Sequence, residues 1–302
     1  LLPAQRQAEG RAVGRRPQQA ILLSAATGVT VGLAVVALQT VTFDLLLDSL
    51  ADRPVWAQAA APGVGLLVAW LCLRWLAERA EPTTTDEYVR NFHEEAHERL
   101  SSKPVVGRVL AGVATVGYGG ALGPEGHALY LGAAAGSALQ RRFARFFSRE
   151  DAKLLMVAGA AAGMAAVFKA PAAGALFALE VPYRSDIARR NVLPAMVGAA
   201  SSYIAYAAVK GTTPLLPVGG DPSFSWPDLL AALAVGVACG AGARLFAVSL
   251  RWLRANLSGQ VPTGVRIVGA GLLLAAAAVA ANAAADAPLT LGPGLDVVAW
   301  AA

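Results

Sequence analysis

Long stretches without a single charge restrict this chain more than any motif does. Pro17–Phe43 runs 27 residues with no Asp, Glu, Lys or Arg, Pro54–Leu73 runs 20, and Asn191–Val209 and Ile267–Ala285 run 19 each. Shorter intervals of 15 or 16 residues lie at Val109–Pro124, Gly126–Gln140, Leu154–Phe168 and Leu229–Ala243. About 20 apolar residues, rising ~1.5 Å each, cross the hydrocarbon core of a bilayer. The pattern therefore predicts an all-α polytopic membrane protein. Composition agrees: charged residues are 15% and apolar residues 56% of 302, against roughly 25% charged in a soluble domain. A soluble fold of this size cannot hide that much apolar surface, which excludes a secreted enzyme.

The net charge of +5 does not indicate a nucleic-acid partner, because the arginines sit in short clusters between apolar stretches rather than along one face. Arg6, Arg11, Arg15 and Arg16 precede the first stretch, Arg74 and Arg79 follow the second, and Arg141, Arg142, Arg145 and Arg149 follow the stretch from Gly126. Arg251, Arg254 and Arg266 flank a later connection, whereas Gly211–Pro227 holds one acid and no base. Under the positive-inside rule the N-terminus is cytoplasmic and the 211–227 loop external. The chain then divides into a cytoplasmic segment 1–19, a first membrane repeat 20–210, the external loop 211–227 and the start of a second repeat 228–302. Cys72 and Cys239 lie in apolar stretches and read as small packing residues. The first 16 residues are no signal peptide, since the apolar region after them is too long. A start at Leu1 and an end inside the apolar run Val297–Ala302 predict a piece of a longer protein.

The apolar stretches are rich in Ala and Gly. Gly132-xxx-Gly136 and Gly159-xxx-Gly163 place small residues on one helical face, a packing device in lipid. Several stretches are too short to cross upright and are interrupted at Pro124, Pro171 and Pro194, which predicts half-length helices meeting inside the membrane. Ile21–Leu33 and Leu229–Ala241 share their Gly-xxx-Gly spacing, and by charge they begin on opposite sides. That echo fits an inverted repeat, or else the chance likeness of two Ala/Gly-rich helices. Between spans, Asp86–Leu100 reads as an amphipathic helix with Tyr88, Phe92, Ala96 and Leu100 spaced by fours. Thr83-Thr84-Thr85-Asp86 supplies its N-cap, and an interfacial or half-inserted helix is expected.

The sharpest local feature is Gly119-Gly120-Ala121-Leu122-Gly123-Pro124-Glu125-Gly126-His127. Gly, then Pro at the first helical position, then Glu in the first turn make a helix start. Lying between two apolar runs, its free N–H groups face the membrane interior and form an anion site. Glu125 either settles its own helix terminus or acts on a passing ion, and an ionisable group inside a membrane favours the second. A tethered carboxylate competes with a free anion for the same N–H groups, so it closes the site when ionised in place and opens it when protonated or swung away.

Gly119–Arg142, followed by Ala158–Glu180 with Gly159, Gly163, Lys169, Pro171, Gly174 and Phe177, resemble the CLC family of chloride channels and chloride/proton antiporters, over about Ile21 to the end. The resemblance implies a homodimer in the lipid bilayer, each subunit built of two inverted repeats of broken and tilted helices. It covers the first repeat and only the opening of the second. It also implies conduction of chloride or another small anion across a plasma (inner) membrane, or else a CLC-fold relative that does not conduct or carries a different ion, with no enzymatic reaction and no cofactor or metal. Glu125 falls on the family's gating glutamate, and Gly123, Gly126 and His127 on its ion-binding helix start. Glu180 falls on the glutamate that closes the second block, either an internal acid or a structural one paired with Lys169 or with helix-end N–H groups. Where the family has a basic residue before the Glu and Pro after the next Gly, this chain has Pro124 and His127. The family's Gly-Ser-Gly-Ile-Pro loop is replaced by Glu81–Glu87, in which the hydroxyl of Thr83, Thr84 or Thr85 can stand in for the serine. Proton-coupled members carry a second glutamate where this chain has Val181, which favours passive conduction. His127 either hydrogen-bonds or titrates with Glu125, or fills the space of a proline.

A rival motif is His93-Glu94-Glu95-Ala96-His97, which satisfies H-E-x-x-H and would place two zinc ligands and a general base on one helical face, as in an intramembrane metalloprotease. The charged helix around it favours an ordinary solvated face.

Overall fold

The computed structural model describes residues 3–78, 80, 82–93, 102–147, 151, 153–183, 189–215, 225–257 and 261–301. Regular structure among these residues is helical throughout. Helix α1 (Pro3–Gln39) continues through a π-helical stretch, Thr40–Leu47, into the short α2 (Asp48–Ala51). Then come α3 (Val55–Trp75), α4 (Thr84–His93), α5 (Ser102–Gly117) and α6 (Glu125–Arg142). After these follow α7 (Leu154–Phe168), α8 (Pro171–Glu180), α9 (Val192–Lys210), α10 (Trp226–Leu257), α11 (Thr263–Ala285) and α12 (Leu295–Ala301).

Five helical stretches are long and apolar enough to cross a membrane: Gln18–Ala51, Val55–Trp75, Arg189–Lys210, Trp226–Leu257 and Thr263–Ala285. Pro104–Gly117, Leu154–Phe168 and Pro171–Glu180 are apolar but shorter. Ten residues of α8 rise only ~15 Å, half the hydrocarbon thickness. Half-length helices are thus present, and Pro171 marks one break. Lys169 there takes a left-handed conformation (φ 52°) and ends α7, and Pro171 opens α8 two residues later.

Helix α7 is the centre of the bundle. Every residue from Leu154 to Val167 is buried, so a helix too short to span has no face turned to lipid. Close packing on all sides follows from its glycines and alanines. A Cβ on Gly132 or on Gly159 would overlap the other's carbonyl oxygen, Gly136 rests on the Leu155 carbonyl, and Gly163 rests on that of Ala128. The two Gly-xxx-Gly spacings are therefore one α6–α7 seam, with backbone against backbone. Gly28 and Gly32 of α1 meet the carbonyls of Gly198 and Ser202 on α9 in the same manner. The Ser202 hydroxyl donates to the Ala162 carbonyl (2.7 Å) and ties α9 to α7. At one end of α1 and α9, Tyr206 donates to Gln39 (2.6 Å) and Lys210 pairs with Asp44.

Helix α4 starts at Thr84, two residues before the expected Asp86, so Thr85 and Asp86 lie inside its first turn; residues 94–100 fall outside the described part. Nor does α4 merely lie at an interface. Tyr88 is fully buried in the same core as α7 and donates to the Ala178 carbonyl (2.8 Å). Cys72 is half-buried on α3 and packs against the core there, whereas Cys239 is exposed on α10.

Candidate functional site

The chain between α5 and α6 turns back on itself. Gly119 adopts a left-handed conformation (φ 85°), and Gly120 N–H bonds the Thr115 carbonyl (2.8 Å). The Gly292 N–H donates to the Gly119 carbonyl (3.2 Å), so the segment after α11 braces this turn. The turn delivers Pro124 to the N-cap position of α6, one residue earlier than the expected first helical position, because Ala128 N–H already bonds its carbonyl (3.1 Å). Glu125 is the first helical residue, and Pro124 at the N-cap has no side chain able to cap the helix. The N–H groups of the first turn have no partner within the helix, and the positive end of its dipole lies there.

Into this end the Glu125 side chain folds back. A Cβ at Gly123 would fall inside the Glu125 carboxylate. Glycine at 123 is thus what leaves room for the acid over its own helix start. On the other side the Thr84 hydroxyl lies against Gly126, 2.7 Å from where a Cβ would be. Two helix starts, those of α4 and α6, therefore converge on one spot. Thr83 and Thr85 are half-buried and do not reach the wall of the chamber described next.

That chamber, of about 870 Å³, lies between α3, α5, α6, the start of α4 and α11; Thr84, Gly123, Glu125, Gly126 and His127 are on its wall. So are three arginines that spacing alone did not single out: Arg74, Arg108 and Arg266. Arg108 is buried on α5, donates to the Tyr130 hydroxyl (2.6 Å), lies 5.1 Å from the centre of that ring and meets Glu87 at 3.4 Å. Its signal in the sequence was a lone base among apolar neighbours, Val105 to Leu110, and such residues are functional by default in a membrane. Arg74 sits over the Trp70 ring at 5.2 Å, and Arg266 donates to the Thr263 hydroxyl at 3.1 Å. Arg74 and Arg266, with Arg108 offset by Glu87, outnumber the one wall carboxylate and make the chamber attractive to anions. Of the acids near α4, Glu87 is paired with Arg90 and Arg108, and Asp86 is exposed.

Glu180 is exposed at the end of α8, away from the chamber wall. It does not pair with Lys169, whose ammonium donates to the Thr213 carbonyl (2.9 Å) instead. Val181 packs against the core around α7. In the rival motif, Glu94 and His97 lie outside the described residues. His93 sits edge-on to Phe92 and Tyr183, with Nε2 2.5 Å from the Pro182 carbonyl oxygen. Nε2 therefore carries the proton and leaves only Nδ1 with a lone pair, and the described residues hold no group of three His, Cys, Asp or Glu suited to a metal.

Comparison with known proteins meets this geometry. The family model described as "Voltage gated chloride channel" matches residues 64–302. A putative chloride channel protein, ClcB-like, from Ralstonia nicotianae is 28% identical over 226 residues, covering 74% of this chain and 52% of that protein. The voltage-gated ClC-type chloride channel ClcB of Yersinia pestis is 30% identical over 169 residues, 55% of this chain and 39% of that one. The chain thus spans about half the length, or less, of these relatives. Among solved structures, a CLC-type fluoride/proton antiporter superposes with a TM-score of 0.71 at 22% identity, covering 93% of this chain and 69% of that one. A slow cyanobacterial Cl⁻/H⁺ antiporter superposes with a TM-score of 0.70 at 18% identity, covering 85% and 62%.

Proposed function

This chain belongs to the voltage-gated chloride channel (CLC) family, and from that premise we propose that it contributes to an anion-conducting pathway through a membrane, with chloride as the reference ion and Glu125 as gate. One observation carries the reading: the Glu125 carboxylate lies folded over Gly123 at the uncapped start of α6, on the wall of a chamber that holds Arg74, Arg108 and Arg266. An ionised Glu125 occupies the place where a free anion would meet the first-turn N–H groups. Protonation or a swing of the side chain vacates it, and the N–H groups of Gly126 and His127 with the Thr84 hydroxyl then receive the ion. The arginines raise the local anion concentration. Val181 carries no proton, which supports uncoupled conduction over antiport. Exposed apolar residues on α8 and α9, among them Phe177, Leu193 and Ile204, suit either lipid or a second copy in a homodimer. The clustered arginines support a cytoplasmic N-terminus, and the family relationship supports a plasma (inner) membrane.

The test is chloride efflux from vesicles carrying the purified protein. Efflux above that of protein-free vesicles, increased in Glu125→Ala, supports the reading; protein-containing vesicles as tight as empty ones contradict it.

A further inference from the structure

The wall of the chamber includes one side chain whose chemistry the gating account leaves unused. His127 stands in the first turn of α6 and is only 5% exposed, yet its Nε2 is buried with no hydrogen-bond partner. A buried polar nitrogen without a partner is costly, and in native structures it marks a strained, catalytic or ligand-binding position. Its placement is specific as well. Gly112 of α5 makes room for the ring: a Cβ there would lie 2.6 Å from Nδ1. Arg108 precedes Gly112 by four residues, so the two share a face of α5. His127 is therefore a wall residue of the chamber that also holds the buried guanidinium and the convergent starts of α4 and α6, and its Nε2 lies just behind that wall.

We propose that His127 sets the anion preference of this chamber by donating a hydrogen bond from its imidazole to a small, strongly accepting monovalent anion. The inference rests on the conduction reading above and deepens it. Arginines and helix N-termini attract any monovalent anion, and by charge alone weakly hydrated ions such as thiocyanate enter most readily, since they lose least on leaving water. A directional N–H adds what charge cannot. It favours a compact acceptor such as chloride over a diffuse one, without placing another full charge in the path. A proline or an apolar ring at this position fills similar space and has no such donor.

The experiment measures chloride and thiocyanate fluxes in vesicles for wild type, His127→Phe and His127→Gln. A hydrogen bond to a charged partner corresponds to about tenfold or more in relative preference. The chloride-to-thiocyanate ratio is expected to fall by about tenfold in H127F and to be largely restored in H127Q, whose amide supplies an N–H. An unchanged ratio in H127F, with wild type conducting, overturns the inference and leaves the conduction reading standing. No flux from wild type overturns both. Should H127F fail to fold, the ¹⁵N imidazole resonance of His127 in the wild type decides: it moves when glutamate in the buffer is exchanged for chloride, and a stationary resonance refutes the proposal.

Discussion

Helices α1 and α10 carry the same Gly-xxx-Gly spacing and lead opposite lives. Gly28 and Gly32 press against the carbonyls of α9, whereas a Cβ added at Gly236 or Gly240 would meet nothing within 4 Å beyond its own helix. The difference is partnership, not composition. Every α10 residue is exposed, including Leu230, Leu233, Val237 and Phe246, and an apolar helix without a protein partner is at ease only in hydrocarbon or under further protein. Small residues at spacing four permit close approach; whether anything approaches is decided elsewhere in the chain.

Substitutions can break or sharpen this contrast. The largest effect is expected at the α6–α7 seam, where Gly159→Leu drives a side chain into the Gly132 carbonyl: a loss of more than about 3 kcal/mol and of monodisperse protein in detergent, read by size-exclusion chromatography. Gly28→Leu opens the α1–α9 seam, with an expected cost of about 1–3 kcal/mol in thermal unfolding. Tyr88→Phe leaves the Ala178 carbonyl without its donor and should cost about 1 kcal/mol. Gly236→Leu is expected to change stability by under ~0.5 kcal/mol. If G236L proved as damaging as G28L, the contrast between the two helices would be wrong.

Much of the first repeat was legible because its signals are local. Lengths of charge-free sequence marked the spans, Gly132/Gly136 and Gly159/Gly163 marked a seam, and Gly-Pro-Glu marked a helix start to within one residue. What escaped was long-range. Nothing near Thr84 says that its hydroxyl will meet Gly126, 42 positions on, and nothing near Arg108 announces Tyr130 on the next helix. Both depend on how α4, α5 and α6 are set against α7, which is a matter of packing volume rather than of periodicity. The equivalence of Ile21–Leu33 and Leu229–Ala241 in spacing likewise said nothing of which one would be buried.

The role proposed for Glu125 is to open the chamber. Arg74, Arg108, Arg266 and His127 share its wall, so the decisive measurement changes Glu125 alone: the pH dependence of chloride efflux from vesicles for wild type and Glu125→Gln. If Glu125 gates as proposed, wild-type efflux rises as pH falls, while E125Q, uncharged throughout, conducts at the higher level with a flat profile. Identical efflux and identical pH dependence in the two proteins would contradict the gating role.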